Sequence, residues 1–203
     1  MINKKIFDIN DSRKSRDLEK YFKRYSKRER DKVKHISMDF YSGYIFLAKK
    51  LFKNANISID RFHIVIQAYN ALNTTRVKLC YKSNPHYNKL KDYWKLIVKN
   101  EKDLSNEKKY SRHFKKEISQ KEIVQFLINT NSTLKATYEC YQGLINSLKE
   151  NNFNKFYNIV FYQNNIISDK MKQALILYRE NINILKTHLN TILIMELLKA
   201  LII

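Results

Sequence analysis

The chain has 203 residues, 44% of them hydrophobic, which is enough for a packed core and excludes a disordered chain. Two glycines and one proline exclude a loop-rich or all-β fold and favour long helices. The 39 Lys and Arg outnumber 19 Asp and Glu, so the net charge is +20 and a polyanion such as nucleic acid is the first partner to consider. An AT-rich coding sequence, which favours Lys, Asn, Ile and Tyr, is a second source of the same bias.

Residues 5–9 alternate weakly, as an edge strand would. Asp11 or Ser12 can cap a helix whose apolar stripe is Leu18, Tyr21, Phe22 and Tyr25. Its outer face carries cations, among them Lys23, Arg24, Lys27 and Arg28. Such a face is either simply solvated or lines a DNA backbone without reading sequence. Ile36, Met38 and Phe40 alternate with Ser37 and Asp39, the period of a strand, which puts Asp39 at or just past a strand end. Tyr44, Leu47, Ala48, Leu51 and Phe52 then repeat at helical spacing, with Tyr41 and Tyr44 expected to face the core. Asn54-Ala55-Asn56 turns the chain into a second strand, Ile57-Ser58-Ile59. Strand–helix–strand order predicts two parallel strands joined by a right-handed crossover. The second strand delivers Asp60, Arg61, Phe62 and His63 to a strand-to-helix junction. Two strands of one sheet, each ending in Asp, point to a metal-dependent site at a sheet edge.

A long helix then runs through Val65, Ala68, Tyr69, Leu72, Val77 and Cys80 and ends before Asn84-Pro85. Past Pro85 the chain reads as helical throughout. Leu90, Tyr93, Trp94 and Ile97 make one stripe, residues 102–116 are a polar, strongly charged connector, and Ser119 with Glu122 forms a capping-box pattern. Apolar positions continue from Ile123 to Leu148, break at Asn151, and resume with Phe156 and, after a cap at Ser168, with Met171, Leu175 and Tyr178. The expected organisation is a core at 1–80, a helical region at 81–190 and a tail at 191–203. Cys80 and Cys140 have no partner at metal-ligand spacing, which predicts reduced thiols. No signal-peptide run follows Met1, and the apolar run at 192–203 is too short for a bilayer, which takes about 20 residues. A cytoplasmic protein with no membrane partner is expected.

Several blocks share a pattern: Ile36-Ser37-Met38-Asp39 with Tyr41 and Tyr44, Asp60-Arg61-Phe62-His63-Ile64-Val65, and Ala71-Leu72-Asn73-Thr74-Thr75-Arg76. Asp92-Tyr93-Trp94-Lys95-Leu96 and Ser168-Asp169-Lys170-Met171 extend it. In these blocks the chain resembles the DDE-superfamily transposases of bacterial insertion sequences, in particular the ISL-three family. The Asp-Arg-Phe-His block, in its order and spacing after Asp39, is the most specific match. The resemblance implies an α/β, mostly helical fold: a partial RNase H-like domain of few strands with a large helical insertion. It implies Mg²⁺ or Mn²⁺, held by an Asp, Asp, Glu set, for DNA cleavage and strand transfer. Asp39 matches the second acid and is the candidate catalytic and metal-binding residue, an Asp that only caps its turn being the alternative. Asp60, Arg61, Phe62 and His63 are the family signature. Asp60 and His63 could assist near the metals, contact DNA, or form a hydrogen-bonded pair that fixes the turn. Arg61 and Arg76 are candidate phosphate contacts, a solvated Arg being the alternative. DNA is the implied partner, with a full-length transposase as a second.

The departures are as telling. The family's first Asp lies upstream of residues like Ile6-Phe7-Asp8-Ile9, and its zinc-binding and helix-turn-helix regions have no counterpart here. After Ser-Asp-Lys-Met the family leads to Asn-Gly-x-Ile-Glu-Gly-x-Asn-Asn, which carries the third acid. Residues 190–203 differ, yet AT-rich codons for them, re-read two bases later, can spell Tyr-Asn-Thr-His-Asn-Gly-Ile-Ile-Glu-Gly-Ile-Asn-Asn. The expectation is a truncated, frameshifted and inactive transposase fragment, which the gene's codons test directly. The alternative is a non-catalytic basic nucleic-acid-binding protein.

Overall fold

The computed structural model describes residues 10–161 and 166–186. They fall into two compact units that divide between Asp60 and Arg61 rather than near residue 80. The strand expected at 5–9 and the tail at 191–203 lie outside the described residues.

In the first unit the order is α1 (Ser15–Phe22), α2 (Lys27–Arg30), β1 (His35–Met38), α3 (Ser42–Leu51) and β2 (Asn56–Ile59). The two strands pair in parallel, from His35 opposite Asn56 to Met38 opposite Ile59, as the strand–helix–strand order predicts. Asn56 N–H donates to the Lys34 carbonyl at one end and Asp60 N–H to the Met38 carbonyl at the other, so the ladder spans both strands. α3 buries Ile45, Leu47, Ala48 and Leu51 and packs against α1. The Phe22 and Phe52 rings meet edge-on with centroids 5.2 Å apart. Neither Asp11 nor Ser12 caps α1. Lys14 is the N-cap residue, and the Ser12 hydroxyl donates to Asp17 in the first turn instead, at 2.6 Å. Glu19 accepts from Lys23 at 2.7 Å and Lys50 at 2.8 Å, and those two hydrogen bonds hold its carboxyl down at about 2. α2, a single turn, is closed by a capping box of Ser26 and Glu29, and Arg30 Nη1 ties its end to the Leu51 carbonyl at 3.0 Å.

The second unit holds α4 (Arg61–Lys78), α5 (Tyr87–Asp92), α6 (Trp94–Val98), β3 (Lys109–Ser111), β4 (Lys116–Ile118), α7 (Gln120–Ile128), α8 (Ser132–Lys149), α9 (Phe153–Phe161) and α10 (Asp169–Glu180). α8 is its centre: ten of its 18 residues are buried, more than one helical face supplies, and it packs against α4, α7 and α9. α4 buries Ile64, Ala68, Ala71, Leu72 and Thr75, a stripe at i, i+4, i+7, i+8 and i+11. α10 packs on α4 and α9, and its fully buried Tyr178 donates to the Ile64 carbonyl at 2.7 Å. Burial raises that phenol far above its ordinary range, and pushes the Cys140 thiol up to about 12. Both cysteines are free. Polar groups of α8 hold the chain at 98–101: Tyr141 donates to the Val98 carbonyl, Gln142 to the Lys99 carbonyl, and Gln142 accepts from Glu101 N–H. No helix among the described residues is long and apolar enough to cross a membrane.

The expectation of unbroken helix past Pro85 fails at the charged connector. Glu101–Asp103 forms one 3-10 turn, and β3 and β4 pair as an antiparallel hairpin. Each strand has three residues and buries one, Ser111 or Ile118, so no period of two can emerge from the sequence. Lys115 closes the hairpin turn with a left-handed φ of 51°.

The capping box before α7 forms as the sequence predicts, with Ser119 Oγ accepting from Glu122 N–H at 3.2 Å and Glu122 Oε2 accepting from Ser119 N–H at 2.8 Å. The two bonds from Ser119 lower the Glu122 carboxyl. Ser119→Ala is expected to destabilise the second unit by about 1 kcal/mol, while Ser119→Asp keeps most of it. Urea midpoints of the two variants check this, and an unchanged midpoint for the Ala variant would show the cap to be dispensable.

Candidate active site

β1 and β2 end side by side. One residue past the paired Met38 and Ile59 come Asp39 and Asp60, both exposed. Because the strands are parallel, both aspartates leave the same carboxyl-terminal edge, where α/β sheets gather their functional groups. The Asp39 carbonyl accepts from Tyr41 N–H at 2.8 Å, a tight turn that starts α3 with Tyr41 as N-cap residue. Asp39 lines an open basin of about 640 Å³ together with Asp11, Arg13, Lys14, Tyr41 and Tyr44. The Tyr44 hydroxyl donates to the Arg13 carbonyl at 3.1 Å, which fixes one wall. Tyr41 is 55% exposed and stacks edge-on against Tyr44 at 5.0 Å, so this pair walls the basin instead of filling the core as expected. Gly43 permits that arrangement: a Cβ there would lie 2.7 Å from Tyr41 Cε1 and 3.0 Å from Ser15 Oγ.

Arg61, Phe62 and His63 form the opening of α4, so the Asp-Arg-Phe-His block is shared between the two units. Arg61 is half-buried. Its Nη2 donates to Asn151 Oδ1, on a residue held at a left-handed φ of 50°, and its Nε is buried without a hydrogen-bond partner among the described residues. Phe62 is 62% exposed and meets the His63 ring edge-on at 5.5 Å. Arg76 is buried. It donates through Nη1 to the Leu90 carbonyl at 3.0 Å and through Nη2 to Asn73 at 2.8 Å. The phosphate contact expected of Arg76 therefore gives way to a tie between α4 and α5. Lys23, Arg24, Lys27 and Arg28 are all exposed, with Lys23 shared with Glu19 and Arg24 lying 5.7 Å from the Tyr21 ring centroid.

A family model described as Transposase, that of the DDE enzymes of the ISL-three type, matches residues 1–196. The chain belongs to the ISL-three family of DDE transposases. Nothing among the curated proteins or the solved structures matches it. DDE transposases use divalent metal ions, which need acids converging from separate elements. In this transposase no three His, Cys, Asp or Glu side chains gather in that way among the described residues. The basin beside Asp39 offers the second carboxylate of Asp11 but also the cations Arg13 and Lys14. The described donor set does not fit a two-ion centre.

Asp11, Arg13 and Lys14 are not marked by the sequence as neighbours of Asp39. They precede α1 without periodicity, and the bond from Tyr44, 31 residues away, with the packing of α1 on α3, brings their segment to Asp39.

Proposed function

We propose that this transposase chain supplies Asp39 as one acid of a DNA-processing site, that β1, α3 and β2 belong to an RNase H-like sheet, and that the chain alone neither cuts nor joins DNA. The observation that carries this reading is the shared edge: two parallel strands, each followed at once by an aspartate, with Asp39 open to a basin. The inactivity follows from the donor count among the described residues, because one or two carboxylates beside cations cannot hold two ions in working geometry. Purified chain incubated with Mn²⁺ and transposon-end DNA is expected to give no nicking. Robust nicking that Asp39→Ala abolishes would overturn the reading.

A second activity is favoured by a separate observation. A net charge of +20 with Lys23, Arg24, Lys27 and Arg28 exposed suits contact with a phosphate backbone. The chain then acts in the cytoplasm as a basic DNA-binding protein of low sequence specificity, since backbone contacts position a protein without reading bases.

A further inference from the structure

Residues 108–116 contain five Lys and Arg and no carboxylate, the densest run of positive charge on the hairpin. The fold does not leave this segment as a solvated tether. The Tyr93 and Ser111 hydroxyls are 2.6 Å apart, and His113 Nε2 lies 2.7 Å from Asp92 Oδ2. Phe114 meets Phe126 edge-on at 5.1 Å, beneath Lys89 Nζ at 5.3 Å. The turn is thus pinned to α5 and α7 at three points, which fixes the strands that lead into it.

Strand alternation then decides what faces outward. Ser111 and Ile118 are buried, whereas Tyr110, opposite Glu117, is 68% exposed. Burying a ring of that size is favourable, and the chain forgoes it at Tyr110. Tyr110 borders a depression of about 620 Å³ that Lys109, Arg112 and His113 also line. Arg112, the first residue of the turn, lines the same depression as Tyr110, within reach of the same bound nucleotide. Arg112 and Lys115 make no ion pair with any described residue, and Lys109 pairs with exposed Glu107 at 3.2 Å. Such surface pairs are worth little and yield readily to a phosphate.

An aromatic face flanked by cations suits a single strand. Its bases present open π-faces for stacking, whereas a duplex stacks them against one another and offers only phosphates and groove edges. We propose that the β3–β4 hairpin is a single-stranded DNA contact surface, in which Tyr110 stacks an unpaired base and Arg112 and Lys115 hold the flanking phosphates. The proposal rests on the DNA-binding reading above and adds to it the form of DNA and the surface.

The test is fluorescence anisotropy of the full chain with a labelled single-stranded oligonucleotide and with its duplex at matched salt. Tyr110→Ala is expected to weaken single-strand binding by about 5- to 100-fold and to leave duplex binding within about two-fold, while Tyr110→Phe keeps the parent affinity. Joint replacement of Arg112 and Lys115 by Ala is expected to lower the slope of log affinity against log salt by about 1.4, at about 0.7 per single-strand phosphate. All these side chains are exposed, so far-ultraviolet circular dichroism should be unchanged. If the parent binds both probes and Tyr110→Ala binds single strands as tightly, the hairpin proposal falls and the DNA-binding reading stands. If the parent binds neither probe, both fall.

Discussion

Phe156→Ala is expected to destabilise the second unit by about 3–5 kcal/mol, the range for removing a fully buried aromatic ring. Phe156 has no exposed surface, and its ring meets that of Tyr178 at 5.7 Å. The void left behind cannot close easily. Tyr178 is held in place by its bond to the Ile64 carbonyl, and Val160 on the same face of α9 is itself fully buried. Tyr178→Phe separates the two contributions, since it keeps the ring and removes only the hydroxyl, for an expected loss of about 1 kcal/mol. Urea unfolding followed by far-ultraviolet circular dichroism reads both. A shift of a few tenths for Phe156→Ala would mean that α9 is not part of the cooperative core.

Raising salt from about 50 to 200 mM should weaken DNA binding by about 10³- to 10⁵-fold if about six to ten phosphates are contacted. The physical origin is the release of counterions, which grows less favourable as the bulk salt concentration rises. Neutralising Lys23, Arg24, Lys27 and Arg28 together to Gln should reduce the slope of log affinity against log salt by about 3, at about 0.9 per duplex phosphate. Lys23 should contribute least of the four, because Glu19 already neutralises part of its charge at 2.7 Å. Titrations at four or five salt concentrations measure the slope directly. An affinity that stays constant across that range would show recognition by something other than the backbone.

The site was legible where its geometry follows from local periodicity. Alternation through Ile36 and Met38 sets Asp39 at a strand end, and the intervening helix forces the next strand to run parallel, so the two aspartates share an edge. The basin was not legible, because its second wall comes from residues 11–14, which carry no pattern and are held by the Tyr44 bond to the Arg13 carbonyl. Arg76 misled for a related reason. An arginine on a helix looks solvated from sequence, and its acceptors, the Leu90 carbonyl and Asn73, become visible only once α5 is packed beside α4. Tyr178 was foreseen as apolar stripe, yet nothing in its spacing announces a bond to a carbonyl 114 residues earlier. The hairpin at 109–118 hid in a charged run because its strands are too short to repeat and the residues that anchor it, Tyr93 between α5 and α6 and Phe126 on α7, are distant in sequence.

The bond from Tyr178 to Ile64 also fixes an order of events during synthesis. α4 emerges from the ribosome 114 residues before the tyrosine that covers it, a delay of roughly 6–23 s at about 5–20 residues per second. Over that interval the nascent chain carries the apolar stripe of α4 in water, and a chaperone or the partly formed α8 must shield it. Translation stalled before α10 would leave that stripe as a site for aggregation.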